Sequence, residues 1–152
     1  MKKLDFTIHI NAPREAVWKF MLDKETYPQW TKPFNEGGSS FEGDWSAGSK
    51  MLFLGPDPKT GKMGGMISQI AENRALEYVS IKHVGIVTDG VEDMTSPEAK
   101  KWTPSFENYT FTEEDGGTRL DVEMNSADEF ADMFQEMWPQ ALAKLKELVE
   151  KK

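Results

Sequence analysis

The chain has 152 residues, too few for two ordinary domains and enough for one continuous core, so a single domain spanning residues 1–152 is expected. Apolar residues make up 38% and charged residues 29%, with nine Phe, five Trp and nine Met, a balance that excludes a disordered chain. The net charge of -8 is concentrated in residues 85–130, where twelve acids face only Lys100, Lys101 and Arg119, so neither nucleic acid nor an anionic membrane is expected as a partner.

The absence of cysteine excludes disulfides, thiolate nucleophiles and thiolate metal ligands. The only histidines are His9 and His83, in different segments and without a ligand spacing, so no metal and no cofactor is expected. The first residues alternate rather than forming the apolar run of a signal peptide. No segment approaches the roughly 18 apolar residues that span a bilayer. Membrane insertion is not expected, and cytoplasmic residence is the default.

Leu4, Phe6, Ile8 and Ile10 alternate with Asp5, Thr7 and His9, which predicts a half-buried strand. Pro13, Glu15 and the apolar set Val17, Phe20 and Met21 predict a short helix over about 13–22. A second short helix carries Tyr27 and Trp30 and ends at the Gly37–Gly38 break. Strand-like segments follow at Phe41 to Trp45, Met51 to Leu54, Met66 to Ala71 and Leu76 to Val84, separated by short turns that imply an antiparallel meander. The stretch from Gly55 to Met63 superficially resembles a phosphate loop. It has five residues between its glycines and Met63 in place of Ser or Thr, and reads as a hairpin turn.

The tract from Gly85 to Pro104 reads as a long acidic loop with a helix start at Ser96-Pro97-Glu98 and with Trp102 near its end, the expected gate of a site. Two more strands, Phe106 to Thr112 and Thr118 to Met124, flank a tight hairpin at Glu113–Gly117. Ser126–Glu129 has the pattern of a capping box, and a helix of about 24 residues follows. Its expected apolar stripe is Phe130, Phe134, Met137, Ala141, Leu145 and Leu148, flanked by Met133 and Trp138, with Pro139 opposite. This order is too asymmetric for helices on both faces of a sheet, so an α+β fold with one principal helix across the sheet is expected.

The run Ile10-Asn11-Ala12-Pro13-Arg14-Glu15-Ala16-Val17-Trp18 resembles the first strand-to-helix junction of SRPBCC proteins, and Trp30 stands where many members have a tryptophan. The hairpin Gly117-Thr118-Arg119-Leu120 resembles that of the subgroup related to the heat-shock-protein-90 ATPase activator. The resemblance covers essentially the whole chain. It implies a START-like helix-grip fold, in which a curved antiparallel sheet of about six or seven strands, two short helices and a long C-terminal helix enclose a cavity. It further implies a small apolar or amphipathic ligand in that cavity, with catalysis in only some branches and a co-chaperone-like protein partner as a further option.

The candidate ligand-binding residues are strand residues able to point inward, Tyr78, Ser80, His83, Asn108 and Tyr109, together with Trp102 on the loop. From the closing helix come Met133, Phe134, Met137 and Ala141, the last a small residue that would leave space at the centre of the stripe. No catalytic residue is assigned. If the cavity ran acid and base chemistry instead, Glu107, Tyr109 and His83 would be its proton carriers.

Overall fold

The computed structural model describes residues 1–35, 38–56 and 61–151. Strand β1 (Lys2–Ile10) leads into helix α1 (Arg14–Leu22) and the single turn α2 (Tyr27–Trp30). The meander β2 (Ser40–Glu42), β3 (Lys50–Pro56), β4 (Met63–Arg74), β5 (Tyr78–Thr88) and β6 (Val91–Asp93) follows. Helix α3 (Pro97–Trp102), strands β7 (Ser105–Glu114) and β8 (Gly117–Ser126), a 3-10 turn at Asp128–Phe130 and helix α4 (Ala131–Glu150) complete the chain. The strands form an eight-stranded antiparallel sheet in the order β1-β8-β7-β5-β4-β3-β2, with β6 added beside β5. Alpha-4 packs across one face, giving the expected α+β helix-grip arrangement with an unclosed sheet. Among the described residues no helix is long and apolar enough to cross a membrane. Gly37 and turn residues 57–60 lie outside the described residues.

The strand alternation buries Leu4 and Ile10 of β1, Val79 and Ile81 of β5, Tyr109 and Phe111 of β7, and Leu120, Val122 and Met124 of β8 on the face that α4 covers. The β7–β8 hairpin closes on Asp115 and Gly116, whose φ angles of 49° and 78° suit a two-residue turn of the twisted kind.

Three expectations are corrected. The tract from Gly85 is not one loop: β5 continues to Thr88 and pairs there with β6, while the expected helix start at Ser96 is present, its Oγ accepting from Ala99 N at 3.1 Å. The expected capping box does not cap α4, because Ser126 is held in the sheet opposite Lys2 and its hydroxyl donates to Ala127 O. The buried stripe of α4 is Ala131, Trp138, Ala141, Leu142, Leu145 and Val149, turned away from Met133, which is exposed.

One backbone approach fixes the β3–β4 edge. Gly65, at φ +156° opposite Leu54, leaves so little room that an added Cβ would lie 1.7 Å from Phe53 O. Gly65→Ala must therefore push the strands apart. We expect it to lower stability by about 2 kcal/mol or more, read as the denaturant midpoint. An unchanged midpoint would show that the edge yields freely.

Candidate functional site

Between the sheet and the N-terminal half of α4 lies a pocket of about 180 Å³. The residues around α2 supply Tyr27, Trp30, Thr31 and Phe34, and α4 supplies Phe134 and Trp138. Phe53 and Met66, directly opposite each other on β3 and β4, form the far wall. His83 of β5 and Ser105 and Glu107 of β7 form the sheet floor, with Met124 of β8 beside them and Trp102 at the end of α3.

The rings touch in a continuous series. Phe53 meets Tyr27 at 6.1 Å, Tyr27 meets Trp30 at 5.3 Å, and Trp30 meets Trp138 at 6.0 Å. Phe34 bridges Trp138 and Phe134 at 5.0 and 6.4 Å, and Phe134 reaches Trp102 at 6.5 Å. Two of the three indole donors are engaged within the protein: Trp30 Nε1 donates to Met21 O at 3.1 Å and Trp138 Nε1 to Met124 Sδ at 2.9 Å. The wall is therefore apolar in effect.

The floor is polar. Ser68 Oγ lies 2.7 Å from His83 Nδ1, and His83 Nε2 lies 3.2 Å from Glu107 Oε1. The Tyr109 hydroxyl donates to Glu107 Oε2. A carboxylate only accepts, so the bond to Glu107 calls for a proton on Nε2, and in that tautomer Nδ1 accepts from the Ser68 hydroxyl. Ser68 is itself buried behind His83 and does not reach the pocket. Burial pushes the Tyr109 phenol far above its ordinary range, and the negative charge of Glu107 adds to the effect. Tyr27 is pushed up for the same two reasons in the same order.

Of the residues singled out from the sequence, His83, Trp102 and Phe134 line the pocket. Tyr109 stands directly beneath it, wholly buried and bonded to Glu107. Tyr78 and Asn108 face a shallow groove on the other side of the sheet. Ser80 is paired with Asn108 in register and donates to its Oδ1 at 2.6 Å, so it shares that side. Met133 is exposed, and Met137 is half-buried outside the lining. Ala141 belongs to the packed core beyond the pocket. Sequence reasoning missed Tyr27, Trp30, Phe34, Phe53 and Trp138 as lining residues. Glu107 entered only as a possible proton carrier. The period-two set Ser105, Glu107, Tyr109 and Phe111 was the signal that places Glu107 inward.

Among the described residues no group of three or more His, Asp or Glu side chains is arranged to hold a metal ion.

Two outcomes follow from this geometry. Because Ala141 is wholly buried and outside the pocket, Ala141→Leu overpacks the core. A loss of about 1 to 3 kcal/mol is expected, with no change in the binding of an apolar fluorescent probe. A neutral or stabilising effect would place empty space at 141. The raised phenols give a pH dependence: the native state keeps Tyr27 and Tyr109 protonated where the unfolded chain ionises at about pH 10. Their contribution is complete below that pH and is lost as pH rises above it. In an alkaline titration their phenolate absorbance should appear together with loss of circular dichroism. Ionisation of all three tyrosines before unfolding would contradict this.

The family described as activator of Hsp90 ATPase homolog 1-like protein matches residues 11–150. No curated protein matches significantly. Among solved structures, a protein of Nitrosomonas europaea is similar with a TM-score of 0.74 at 16% identity, over 98% of this chain and 94% of its own. The AHSA1-like protein of Aeromonas hydrophila gives 0.73 at 16% identity, over 99% and 93%. A protein of Mycobacterium smegmatis gives 0.71 at 21% identity, over 97% and 90%. At such identities these structures speak for the fold alone, and it is the fold found here. With the family match spanning nearly the whole sequence, the chain belongs to the activator of Hsp90 ATPase homolog 1-like family of the SRPBCC superfamily.

Proposed function

We propose that the protein binds a small amphipathic molecule in the pocket under α4, with the apolar body against the rings and a polar group at the Glu107–His83 floor. The observation that carries this reading is a series of touching aromatic rings lining the same space as an inward carboxylate. A recess of mostly apolar walls with a few convergent polar groups is the usual form of a small-molecule site. Size limits the ligand. An apolar void of about 150 Å³ accepts benzene, so a pocket of about 180 Å³ suits a ligand of roughly ten non-hydrogen atoms.

A second reading, acid and base chemistry, is favoured by one observation: Glu107 and His83 are hydrogen-bonded neighbours facing one space, with Tyr109 bonded to Glu107 from beneath. Binding ranks first because Glu107 Oε1, Glu107 Oε2 and His83 Nδ1 are each already engaged within the protein. The arrangement positions the carboxylate more than it frees a proton carrier.

Met66→Trp is the direct test, since it sends an indole into the pocket from the β4 wall. The wild-type protein should take up a small apolar fluorescent probe saturably, with a change in emission from Trp30, Trp102 and Trp138. Met66→Trp should weaken that uptake at least about tenfold, a loss of roughly 1.4 kcal/mol. If wild type and variant bind alike, the probe sits elsewhere and the reading fails.

A further inference from the structure

We infer that the pocket selects small organic cations, ammonium compounds of roughly ten non-hydrogen atoms with an aromatic or alkyl body. This deepens the reading that the pocket binds a small amphipathic molecule and rests on it.

The charge inventory of the pocket is short. The titratable side chains lining it are Tyr27, His83 and Glu107, and no lysine or arginine is among its described lining residues. Burial keeps the phenols of Tyr27 and Tyr109 neutral, and the one acidic side chain among the described lining residues is Glu107, with the His83 imidazole on one oxygen and the Tyr109 hydroxyl on the other. Each carboxylate oxygen has two lone pairs, and these contacts leave one on each for a further donor.

An anionic ligand would meet that carboxylate where little water screens it and be repelled. A neutral ligand would gain the apolar wall and at most an uncharged hydrogen bond to the carboxylate. A cation gains both the carboxylate and the negative faces of aromatic rings, among which tryptophan is the strongest partner, and three tryptophans line the pocket. The surroundings act in the same sense. Trp102, Ser105, Glu107, Met124 and Asn125 all come from the stretch 85–130, whose twelve acids outweigh three basic residues. Such a field raises the local concentration of cations.

The test is a charge series on one molecular shape, measured by calorimetry on the wild-type protein at neutral pH: 2-phenylethylammonium, 2-phenylethanol and phenylacetate. The ammonium should bind at least about tenfold more tightly than the alcohol, and phenylacetate should not bind. Glu107→Gln, which keeps the shape and removes the charge, should bring the ammonium down to about the alcohol's affinity and change the alcohol far less. Equal binding of ammonium and alcohol, tighter binding of phenylacetate, or full ammonium affinity in Glu107→Gln overturns the inference and leaves the amphipathic reading standing. No binding of the ammonium also overturns it. Uptake of the apolar fluorescent probe then decides whether the pocket binds anything at all. Should Glu107→Gln fail to fold, the wild-type charge series decides alone.

Discussion

The arrangement depends on how one indole is held. Trp138 meets Phe6 of β1 at 6.0 Å, Trp30 of α2 at 6.0 Å, Phe34 at 5.0 Å and Tyr109 of β7 at 6.1 Å. Its Nε1 is engaged by Met124 of β8. Four segments distant in sequence therefore take their positions from one side chain on the closing helix. Three residues on, the side chain shrinks to Ala141, and Leu142 and Leu145 complete a close-packed layer. A wide residue followed by a narrow one makes the spacing between helix and sheet unequal. The wide end is where space remains for the pocket.

The polar floor is an unusual use of a sheet interior. Glu107 occupies an inward position of β7 between Ser105 and Tyr109, where an apolar residue would pack without losing hydration. Replacing a buried ionic pair by apolar residues of similar volume is often neutral or stabilising. Position 107 thus carries a group that stability alone does not call for. Two side chains, His83 and Tyr109, hold it in one orientation, and Ser68 in turn holds His83. Such preorganisation is what a recognition site requires, since the polar group need not be ordered when a ligand arrives.

Much of the fold could be read from sequence because β1, α1 and the β7–β8 hairpin each carry an unmixed local signal. Leu4 to Ile10 alternate without exception, and Asp115-Gly116 has the chemistry of its turn. The rest was hidden where two physical signals compete. Gly85 looks like a break, yet it lies within β5, and it is a glycine there for room, since a Cβ would come within 2.8 Å of Asp93 O. On α4, both the expected and the observed stripe contain Ala141 and Leu145. Only tertiary packing turns Trp138, Leu142 and Val149 inward in preference to Met137 and Leu148. In β5 the faces Tyr78, Ser80, Lys82 and Val79, Ile81, His83 are both mixed in polarity, so composition fixes the parity of the strand weakly. Most of the pocket wall comes from rings on separate elements, a juxtaposition that no short window of sequence displays.

Alpha-4 is anchored unequally along its length. Near its C-terminus Glu150 Oε2 accepts from Asn11 N at 2.8 Å, and Lys146 Nζ donates to His9 O at 2.8 Å, tying the last turns to β1 and its following residue. At the other end the helix follows a 3-10 turn with no side-chain cap, and Phe130 leans on Trp102 at 4.6 Å in a nearly parallel stack. A helix fastened at one end and uncapped at the other unzips from the uncapped end. The first turns of α4, which carry Phe134, therefore rest on packing and not on a capping side chain. The Phe130–Trp102 stack joins that end of the helix to α3, so its loss would loosen the first turns of α4 before the far end of the helix.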